Sequence, residues 1–400
     1  MSEGRNERAA LLQGRRIVFV LAGEVLGGAE RGALDLARDL KRVEGASVAV
    51  CALDDRPGRA RELAAEYEIP WSCIRIPWTG NRVAKAASLA RLTRGVRRLS
   101  PDAIVSSTNL PNVACGLTWR ATGASLSVWT QCDVNGTRRF GHRLFRRALS
   151  STPVVVTAAY HARDWLVEAF GADPRRVYVI PTTVRLRAPR ESHAAWRARM
   201  GLREDDVVGC MLGHLHAGKD HVTLLRAWRL VADRLVPEGR RPVLILAGRE
   251  AGGGDAVKAL AFDLDLREHV LFVGEVDDVS GLLTAADLAV FSSRSECYPR
   301  GALEPMSVGL AVAGTDVAGV REAVGEPGAP YLAPPGDAPA LADAILRLAR
   351  DPDLRARVGR ANADLMRSRQ SEEATSGVYA RLLEHALAGR LPSPQASGVR

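Results

Sequence analysis

The sequence predicts an α/β protein built from two Rossmann-like domains. Its 400 residues exceed what one hydrophobic core usually holds, so two domains are expected. In each half of the chain, short apolar runs alternate with helical patterns, which is typical of a parallel sheet covered by helices on both faces. The segment 181–190 (PTTVRLRAPR) has two prolines and no periodicity, and it is the predicted linker between the halves.

The individual elements follow from these periodicities. Apolar runs of three to seven residues predict strands, because parallel strands buried on both faces are apolar throughout. In the first half the predicted strands are 16–22, 47–52, 103–106, 126–130, 153–157 and 177–180, with helices at 29–41 and 85–99. In the second half the predicted strands are 207–212, 243–247, 270–273, 288–292 and 311–313, with helices at 222–235, 255–264, 279–285, 299–308, 338–350, 352–369 and 372–388.

The composition is that of a globular protein with excess positive charge. Charged residues make up 25% and hydrophobic residues 46% of the chain, and the formal net charge is +9. The stretch from Arg138 to Arg147 (RRFGHRLFRR) interleaves aromatic and basic residues, as a helix on a membrane surface would. We favour the other interpretation of this stretch, an ordinary amphipathic helix with a solvated basic face. The sequence contains no recognised nucleic-acid-binding module, so nucleic acid is not an expected partner.

The expected location is the cytoplasm. No apolar run approaches the roughly 18 residues of a membrane span, and the first residues lack the apolar core of a signal peptide. The six cysteines have neither metal-ligand nor redox spacing, so they are expected to be small buried residues in a reducing compartment. The membrane interpretation of the stretch from Arg138 to Arg147 would add peripheral contact with the inner face of the cell membrane.

The most informative segment is 291–322 (FSSRSECYPRGALEPMSVGLAVAGTDVAGVRE). Glu296 and Glu304 flank Pro299, which suits the first turn of a helix because its missing N–H is not needed there. Glu296 is therefore predicted on a loop at the carboxyl end of a strand, and Glu304 inside the helix that follows. Free N–H groups at the helix start suit a phosphate, and carboxylates there suit the hydroxyls of a sugar or ribose.

The same segment resembles the signature of retaining glycosyltransferases of the GT-B fold, of the glycosyltransferase family 4 or group 1 type. That pattern reads E-G-[FY]-P-x-x-x-x-E-A-M-A-x-G-x-P-V-V-A-[ST]-x-x-G-G-x-x-E. The chain departs from it at three places, where Cys297, Pro305 and Ala318 replace Gly, Ala and Gly. The matching positions are Glu296, Tyr298, Pro299, Glu304, Met306, Gly309, Val312, Ala313, Thr315, Gly319 and Glu322.

The resemblance implies a GT-B arrangement, in which two Rossmann-like domains face each other across a cleft. The first domain, at 15–185, would bind the acceptor, and the second, at 186–370, would bind the nucleotide sugar. A helix within 371–389 would pack back on the first domain, and the tail at 390–400 is expected to be disordered.

The resemblance also implies how the second domain binds its donor. Glu304 would hold the ribose hydroxyls, and Glu296 would hold the transferred sugar. Backbone N–H groups in this segment would bind sugar and diphosphate, and a loop before it would hold the nucleobase through its backbone. The donor contacts implied are Val276, Cys297, Tyr298, Pro299, Arg300, Gly301 and Glu304.

A second motif, at 213–219 (GHLHAGK), is similar to the family's G-R-L-x-x-x-K. Lys219 corresponds to its phosphate-binding lysine, and one donor aimed at a departing diphosphate is worth on the order of 10²–10³ in rate. His214 stands in place of the arginine. Because histidine titrates near pH 6.5 whereas arginine stays charged, we expect weaker and pH-sensitive diphosphate stabilisation, or none if His214 only packs.

Two features of the first domain complete the implied site. Gly27 and Gly28, in LAGEVLGGAER, resemble the family's G-G-A-E loop near the donor phosphates and acceptor, and glycine lets the backbone approach a ligand closely. A tight turn that requires glycine is the alternative. Gln131 occupies the place of a histidine that touches the sugar in relatives, and glutamine can form hydrogen bonds but cannot carry a proton at neutral pH.

The sequence therefore predicts a retaining, metal-independent glycosyltransferase of the hexosyltransferase type, with no cofactor beyond a nucleotide-diphosphate sugar as donor substrate. The expected acceptor is a glycan, a lipid-linked molecule or a small molecule, in cell-envelope polysaccharide or glycolipid assembly. Replacements at His214, Gln131 and Thr182–Thr183 favour an alternative. In that alternative, the chain is a non-catalytic GT-B homologue that binds nucleotide sugar or glycan as a regulatory or assembly subunit.

Overall fold

The computed structural model describes residues 10–56, 58–134, 140–182, 184–369 and 372–394. The chain divides into two compact units, one of Met1–Thr183 with Ser371–Arg400 and the other of Val184–Gln370. Each unit is built on a parallel β-sheet covered by helices. The predicted class, α/β with two Rossmann-like domains, is confirmed.

The first unit, within the described residues, has a seven-stranded sheet in which β1 and β4 are central. The strands are β1 (Arg16–Leu21), β2 (Ser47–Ala52), β3 (Trp71–Cys73), β4 (Ala103–Ser107), β5 (Leu126–Gln131), β6 (Val154–Thr157) and β7 (Val177–Val179). Their order is β3-β2-β1-β4-β5-β6-β7, and Ile17 aligns with Val48 of β2 and with Ala103 of β4. The helices are α1 (Gly28–Arg42), α2 (Arg59–Glu66), α3 (Arg82–Arg98), α4 (Asn109–Thr122), α5 (His142–Ser151), α6 (Tyr160–Phe170) and α15 (Glu372–Leu387).

The helices of the first unit divide between the two faces of its sheet. Alternate residues of a strand point to opposite faces. Ile17 and Phe19 of β1 pack in one core with α1, α2 and α15. Val18 and Val20 pack in another core with α3 and α4, and α5 extends the helical layer on that side.

The second unit has a six-stranded parallel sheet in the order β10-β9-β8-β11-β12-β13 within the described residues. The strands are β8 (Val207–Leu212), β9 (Pro242–Ala247), β10 (Val270–Gly274), β11 (Leu288–Phe291), β12 (Val312–Thr315) and β13 (Leu332–Ala333). The helices are α7 (His193–Arg199), α8 (His221–Leu235), α9 (Gly254–Asp263), α10 (Val279–Thr284), α11 (Arg300–Ser307), α12 (Ala318–Gly328), α13 (Ala338–Arg350) and α14 (Pro352–Arg369). Chain order reverses between β8 and β11, and ligands of open α/β sheets bind at the carboxyl ends of strands beside such a switch.

The structure bears on two sequence expectations about surface groups. The stretch that contains α5 buries its aromatic rings, as an ordinary amphipathic helix would: Phe140 is 9% and Phe145 0% exposed, because both rings pack in the core with Trp129 and Leu149. Membrane contact of this stretch stays a prediction. Only the basic face of α5 is at the surface, and Arg138 and Arg139 lie outside the described residues. The cysteines are free, and Cys73 is exposed rather than buried. No helix of the described residues is long and apolar enough to cross a membrane.

Candidate active site

The carboxyl edge of the second sheet brings Lys219 and Glu296 together. The loop after β8 ends at Lys219, the loop after β11 carries Glu296, and these two strands are neighbours. Lys219 Nζ donates to Glu296 Oε1 at 2.7 Å. The two side chains are 17% and 16% exposed. The sequence predicts both residues at the site, and the fold joins them in one partly buried ion pair.

Neighbouring groups hold this ion pair in place. Lys219 Nζ lies 4.8 Å from the centroid of the Phe291 ring, in a cation–π arrangement. The Ser292 hydroxyl donates to the Lys219 carbonyl oxygen at 2.9 Å, and the Ser293 hydroxyl donates to Glu296 Oε1 at 2.7 Å. Both serines are fully buried. The cation and the carboxylate are therefore fixed before any ligand arrives, which is what electrostatic stabilisation of a developing charge requires.

Helix α11 starts at the same edge and carries a second ion pair. Arg300 Nε donates to Glu304 Oε1 at 3.3 Å, one helical turn further on, and these side chains are 8% and 14% exposed. Pro299 is the residue before the helix, with φ −78° and ψ 113°, rather than its first residue as predicted. The first turn of α11 begins at Arg300, beside the loop that carries Glu296, so the backbone N–H groups of a helix start lie at this edge.

Two glycines explain how closely these elements approach. A Cβ on Gly301 would lie 2.2 Å from the carbonyl oxygen of Leu212, so the start of α11 sits directly against the end of β8. A Cβ on Gly319 would lie 2.3 Å from the carbonyl oxygen of Glu296 and 2.4 Å from that of Cys297. Real Cβ atoms do not tolerate such distances. Gly301 therefore allows α11 to pack against the end of β8, and Gly319 allows α12 to pack against the loop that carries Glu296.

Three histidines surround Lys219, and burial acts on each. Burial lowers the pKa of His214, and the positive charge of Arg249 lowers it further. Burial and Lys219 lower the pKa of His216, whose Nδ1 accepts from the Gly218 N–H at 3.1 Å. Burial lowers the pKa of His221 to about 4. No group of three or more His, Cys, Asp or Glu side chains among the described residues is arranged to hold a metal ion.

The loop around Val276 borders a cavity of about 660 Å³. Val276 and Glu275 line it from one side, and Trp196 and Arg199 of α7 line it from the other. Asp278 fixes this loop, because its Oδ2 accepts from the Trp196 indole N–H at 3.2 Å and from the Arg190 backbone N–H at 3.1 Å. No sequence pattern indicates this role for Asp278.

In the first unit, the predicted glycines stand at the start of α1. Gly27 precedes the helix, and its N–H donates to Glu30 Oε2 at 3.2 Å. Burial raises the pKa of Glu30. Gly27 thus takes part in a capping arrangement, in keeping with the tight-turn alternative, and Gly28 is the first helical residue. Ligand contact at this turn stays a prediction.

Gln131 ends β5 in a network of amide groups. Its side chain is 1% exposed, and its Oε1 accepts from the Trp129 indole N–H at 2.7 Å. Beside it, Asn109 Nδ2 donates to Asp133 Oδ2 at 2.6 Å. Contact of Gln131 with a sugar stays a prediction. Thr183, one of the replaced family positions, lies outside the described residues.

Sequence reasoning missed the residues that support the predicted ones. Ser292 and Ser293 follow an apolar strand, and small hydroxyl residues there are a weak sign of a buried hydrogen-bonding role. Nothing in the sequence spacing indicates that Lys219 and Glu296 meet, because they are far apart along the chain. That contact depends on β8 and β11 being neighbours, which only the sheet order reveals.

Two family models match the chain. The model described as glycosyl transferases group 1 matches residues 192–364, and the model described as glycosyltransferase family 4 matches residues 26–188. Among curated proteins, the D-inositol 3-phosphate glycosyltransferase of Streptomyces scabiei is 31% identical over 226 residues, which are 54% of this chain and 50% of that protein. The chain thus spans about half the length of the curated relatives it matches.

Two solved structures illustrate the likeness in fold. HepE of Anabaena, in complex with UDP and glucose, has a TM-score of 0.78 at 20% identity and covers 92% of this chain and 98% of its own. Sucrose-phosphate synthase from Thermosynechococcus elongatus has a TM-score of 0.76 at 18% identity, and covers 94% of this chain and 100% of its own. The two family matches together extend over most of the chain. The chain therefore belongs to the group 1 glycosyltransferases and has the GT-B fold.

Proposed function

We propose that this protein is a glycosyltransferase that moves a sugar from a nucleotide-diphosphate sugar to a hydroxyl group of an acceptor. The observation that carries the proposal is the ion pair of Lys219 with Glu296 beside the first turn of α11. A positioned cation and the positive end of a helix suit a diphosphate, and the carboxylate suits sugar hydroxyls. HepE of Anabaena, whose fold this chain shares, has been solved in complex with UDP and with UDP-glucose.

Each group of the second unit has a role in donor binding. Lys219 neutralises the departing diphosphate, and Glu296 accepts hydrogen bonds from the hydroxyls of the transferred sugar. Glu304 accepts hydrogen bonds from the ribose hydroxyls, and Arg300 orients it through the 3.3 Å contact. Backbone groups from Cys297 to Gly301 bind sugar and diphosphate, and the backbone near Val276 binds the base.

We assign retention of the anomeric configuration, by attack from the side of the leaving group. The bond from the anomeric carbon to the diphosphate oxygen breaks, and a bond to the acceptor oxygen forms on the same face. The acceptor proton passes to an oxygen of the leaving phosphate. Lys219 and the N–H groups of α11 stabilise the charge that grows on that phosphate.

The proposed transfer needs neither a metal ion nor a cofactor other than the donor. Lys219 and the helix start supply positive potential where a bound cation would otherwise act. Excess EDTA should leave turnover unchanged. A loss of turnover that added Mg²⁺ or Mn²⁺ restores would overturn this part of the proposal.

For the acceptor we favour a lipid-linked or glycan molecule in envelope polysaccharide or glycolipid assembly, used from the cytoplasm. A small soluble acceptor is the alternative, since the curated relatives are D-inositol 3-phosphate glycosyltransferases. Gly27, Gly28 and Gln131 lie at the carboxyl edge of the first sheet, where the acceptor would be held. If a lipid extract and inositol phosphates are offered together, measuring which of them receives the sugar discriminates between the two kinds of acceptor.

A second candidate function is a non-catalytic binding subunit. His214 favours it, because burial keeps this replacement of the family's arginine uncharged near neutral pH. Such a protein would bind a nucleotide sugar without releasing its nucleotide. Donor hydrolysis without an acceptor therefore separates the two functions.

The test is release of nucleoside diphosphate from a panel of UDP-, GDP-, ADP- and dTDP-sugars. We expect slow release with one base series and none in Lys219→Ala, with the product sugar keeping its anomeric configuration by NMR. Lys85→Ala, in the first unit, is the matched control. No release by folded protein from any donor, with or without acceptor extract, would overturn the proposal in favour of the binding subunit.

A further inference from the structure

Four lysine and arginine side chains lie on the loops at the carboxyl edge of the second sheet or at the start of α11. Three of them form ion pairs with carboxylates, namely Lys219 with Glu296 at 2.7 Å, Arg300 with Glu304 at 3.3 Å and Arg294 with Asp220 at 3.4 Å. The charges of these three are therefore offset before any ligand binds. The fourth is Arg249, which lies on the loop after β9.

The Arg249 guanidinium is exposed and unpaired. Within the part of the chain that the structure describes, it forms neither a hydrogen bond nor an ion pair. Glu250, the next residue, pairs with Lys258 instead. After burial, the charge of Arg249 is the largest influence that lowers the pKa of His214, so these two side chains lie near each other. Glu275 acts on His214 in the opposite direction but is not paired with Arg249. Arg249 is therefore available to an anionic ligand.

The backbone of Arg249 is fixed against the loop that ends at Lys219. The Arg249 carbonyl oxygen accepts from the Leu215 N–H at 2.9 Å. A Cβ on Gly248 would lie 2.0 Å from the carbonyl oxygen of Gly213, so glycine is what lets the two loops lie this close. The Arg249 side chain therefore starts from a defined point beside the predicted phosphate-binding loop.

The strand order places Arg249 between the two predicted ends of a nucleotide site. In the sheet, β9 lies between β10 and β8. The loop after β10 carries Val276, the predicted contact of the nucleobase, and the loop after β8 ends at Lys219. Neighbouring strands are about 4.8 Å apart, so β10 and β8 are separated by about 10 Å. A nucleotide that reaches from Val276 to Lys219 passes over the end of β9, where Arg249 stands.

We propose that Arg249 binds the donor phosphate that is attached to the nucleoside, while Lys219 neutralises the phosphate attached to the sugar. This inference rests on the proposed function, because it takes the second unit to be the donor site. A guanidinium stays charged at every physiological pH and grips a phosphate with two parallel N–H donors. His214 stands in place of the arginine of the family signature, and Arg249 returns a permanent charge to its vicinity.

The experiment is isothermal titration of the full chain with the mono- and diphosphates of uridine, guanosine, adenosine and thymidine. For the preferred nucleoside, Arg249→Gln should weaken binding of both by about tenfold to a hundredfold, as expected for lost hydrogen bonds to a charged group. Arg249→Lys should lose less, because the charge stays while the paired donors are lost. The exposed position of Arg249 makes both variants compatible with the fold.

Two further variants separate the loss of a charge from damage to the loop. Arg249→Gln combined with His214→Arg should recover most of the lost affinity, because it returns a guanidinium to the same part of the site. Arg357→Gln is the matched control, since it removes an exposed arginine of α14 that forms no ion pair within the described residues. This control should bind both nucleotides as the wild type does.

The outcomes distinguish this inference from the proposed function. Unchanged affinity in Arg249→Gln, an equal loss in Arg357→Gln, a loss confined to the diphosphate, or no recovery with His214→Arg would each overturn the inference. Of these, nucleotide binding that survives Arg249→Gln leaves the proposed function standing. If the wild type binds none of these nucleotides, the donor site itself is absent, and the proposed function fails together with the inference.

Discussion

The carboxyl edges of the two sheets are built from different chemistry. In the second unit, Lys219 pairs with Glu296 and Arg300 pairs with Glu304, and all four side chains are less than one-fifth exposed. In the first unit, the same edge holds the amide contact of Gln131 with the Trp129 indole. Its ion pairs, such as Arg56 with Asp54 and Arg61 with Glu24, each include an exposed arginine, at 79% and 66%.

This difference indicates which kind of ligand each unit is suited to bind. A partly buried ion pair can exchange one partner for a ligand charge, because the cation is already desolvated and positioned. Amide groups match neutral hydroxyls better. The second unit is therefore suited to a charged diphosphate, and the first to a hydroxyl-rich molecule.

Removing the Lys219 side chain tests the difference between the two edges most directly. Lys219→Ala is expected to lower turnover by about 10²–10³-fold, because the leaving diphosphate loses a positioned charge. Steady-state kinetics with the preferred donor measures this. Lys85→Ala removes the first-unit lysine that lies 5.9 Å from the Trp78 ring and should keep near wild-type turnover. Similar losses in both variants would contradict the division.

Substitution of His221 tests whether this buried imidazole near Lys219 is uncharged in the folded protein. Burial lowers its pKa from 6.5 to about 4, so between these values the unfolded chain binds a proton that the folded chain does not. Above pH 6.5 the imidazole is neutral in both states, and the contribution of this group to the free energy of unfolding is fully present. As the pH falls from 6.5 toward 4, the free energy of unfolding decreases by about 3 kcal/mol. Urea unfolding of His221→Leu should show a flatter profile from pH 6.5 to 4.5 than wild type or His193→Gln, an exposed control. Parallel profiles would contradict the account.

Gly301 tests the close approach of α11 to β8. Gly301→Ala should cost about 1–3 kcal/mol of unfolding free energy, because its Cβ meets the Leu212 carbonyl oxygen. It should also weaken donor binding by displacing the helix start. Gly32→Ala, in α1 of the first unit, places its Cβ 3.4 Å from Thr182 and should be neutral or slightly stabilising. Chemical denaturation measures the free energy of unfolding of both variants. Equal changes would contradict a steric clash of the Gly301→Ala side chain with β8.

Glu304→Gln sharpens the assignment of ribose binding. We expect the donor Kd to rise by about tenfold, because a charge-assisted hydrogen bond is replaced by a neutral one, while kcat changes less. Isothermal titration with the donor measures the Kd. Glu62→Gln, at an exposed position of α2, is the matched control. An unchanged Kd in Glu304→Gln would remove Glu304 from the donor site.

The smallest expected effect is the pH dependence from His214. Its pKa is lowered in the free protein by burial and by Arg249, and a bound diphosphate would raise it, so binding takes up a proton. Donor affinity should therefore be a few-fold tighter at pH 6 than at pH 8, with Arg249, Glu275, His216 and Lys219 as the other charged or titratable neighbours. In a His216→Gln background, His214→Arg should remove this dependence. If donor affinity still depends on pH in this variant, the dependence arises from another group.

The sequence was sufficient for most of the fold, because buried parallel strands and amphipathic helices leave clear periodicities. It missed β3 and β13, which have three and two residues, too few for a period to be recognised. It also missed α12, which contains the weak helix formers Gly319, Gly325, Pro327 and Gly328 and is kinked at Gly325, where φ is 57° and ψ is −160°. That helix forms because Val320 and Val324 pack in the core of the second unit.

For the candidate site, the sequence indicated the residues but not their partners. Lys219, Glu296 and Glu304 follow from motif spacing. The ion pair of Lys219 with Glu296 depends on which strands are neighbours, whereas that of Arg300 with Glu304 lies within α11. The burial that lowers the pKa of His214 is likewise a property of packing, which no local pattern predicts.

We expect the second unit to bind a nucleotide sugar through its paired charges. Thermal stabilisation by a panel of UDP-, GDP-, ADP- and dTDP-sugars tests this for wild type, Lys219→Ala and Glu304→Ala. One base series should stabilise the wild type, by about 2.7 kcal/mol at a concentration of a hundredfold Kd, and neither variant. Stabilisation by no donor, or stabilisation that survives both substitutions, would contradict it.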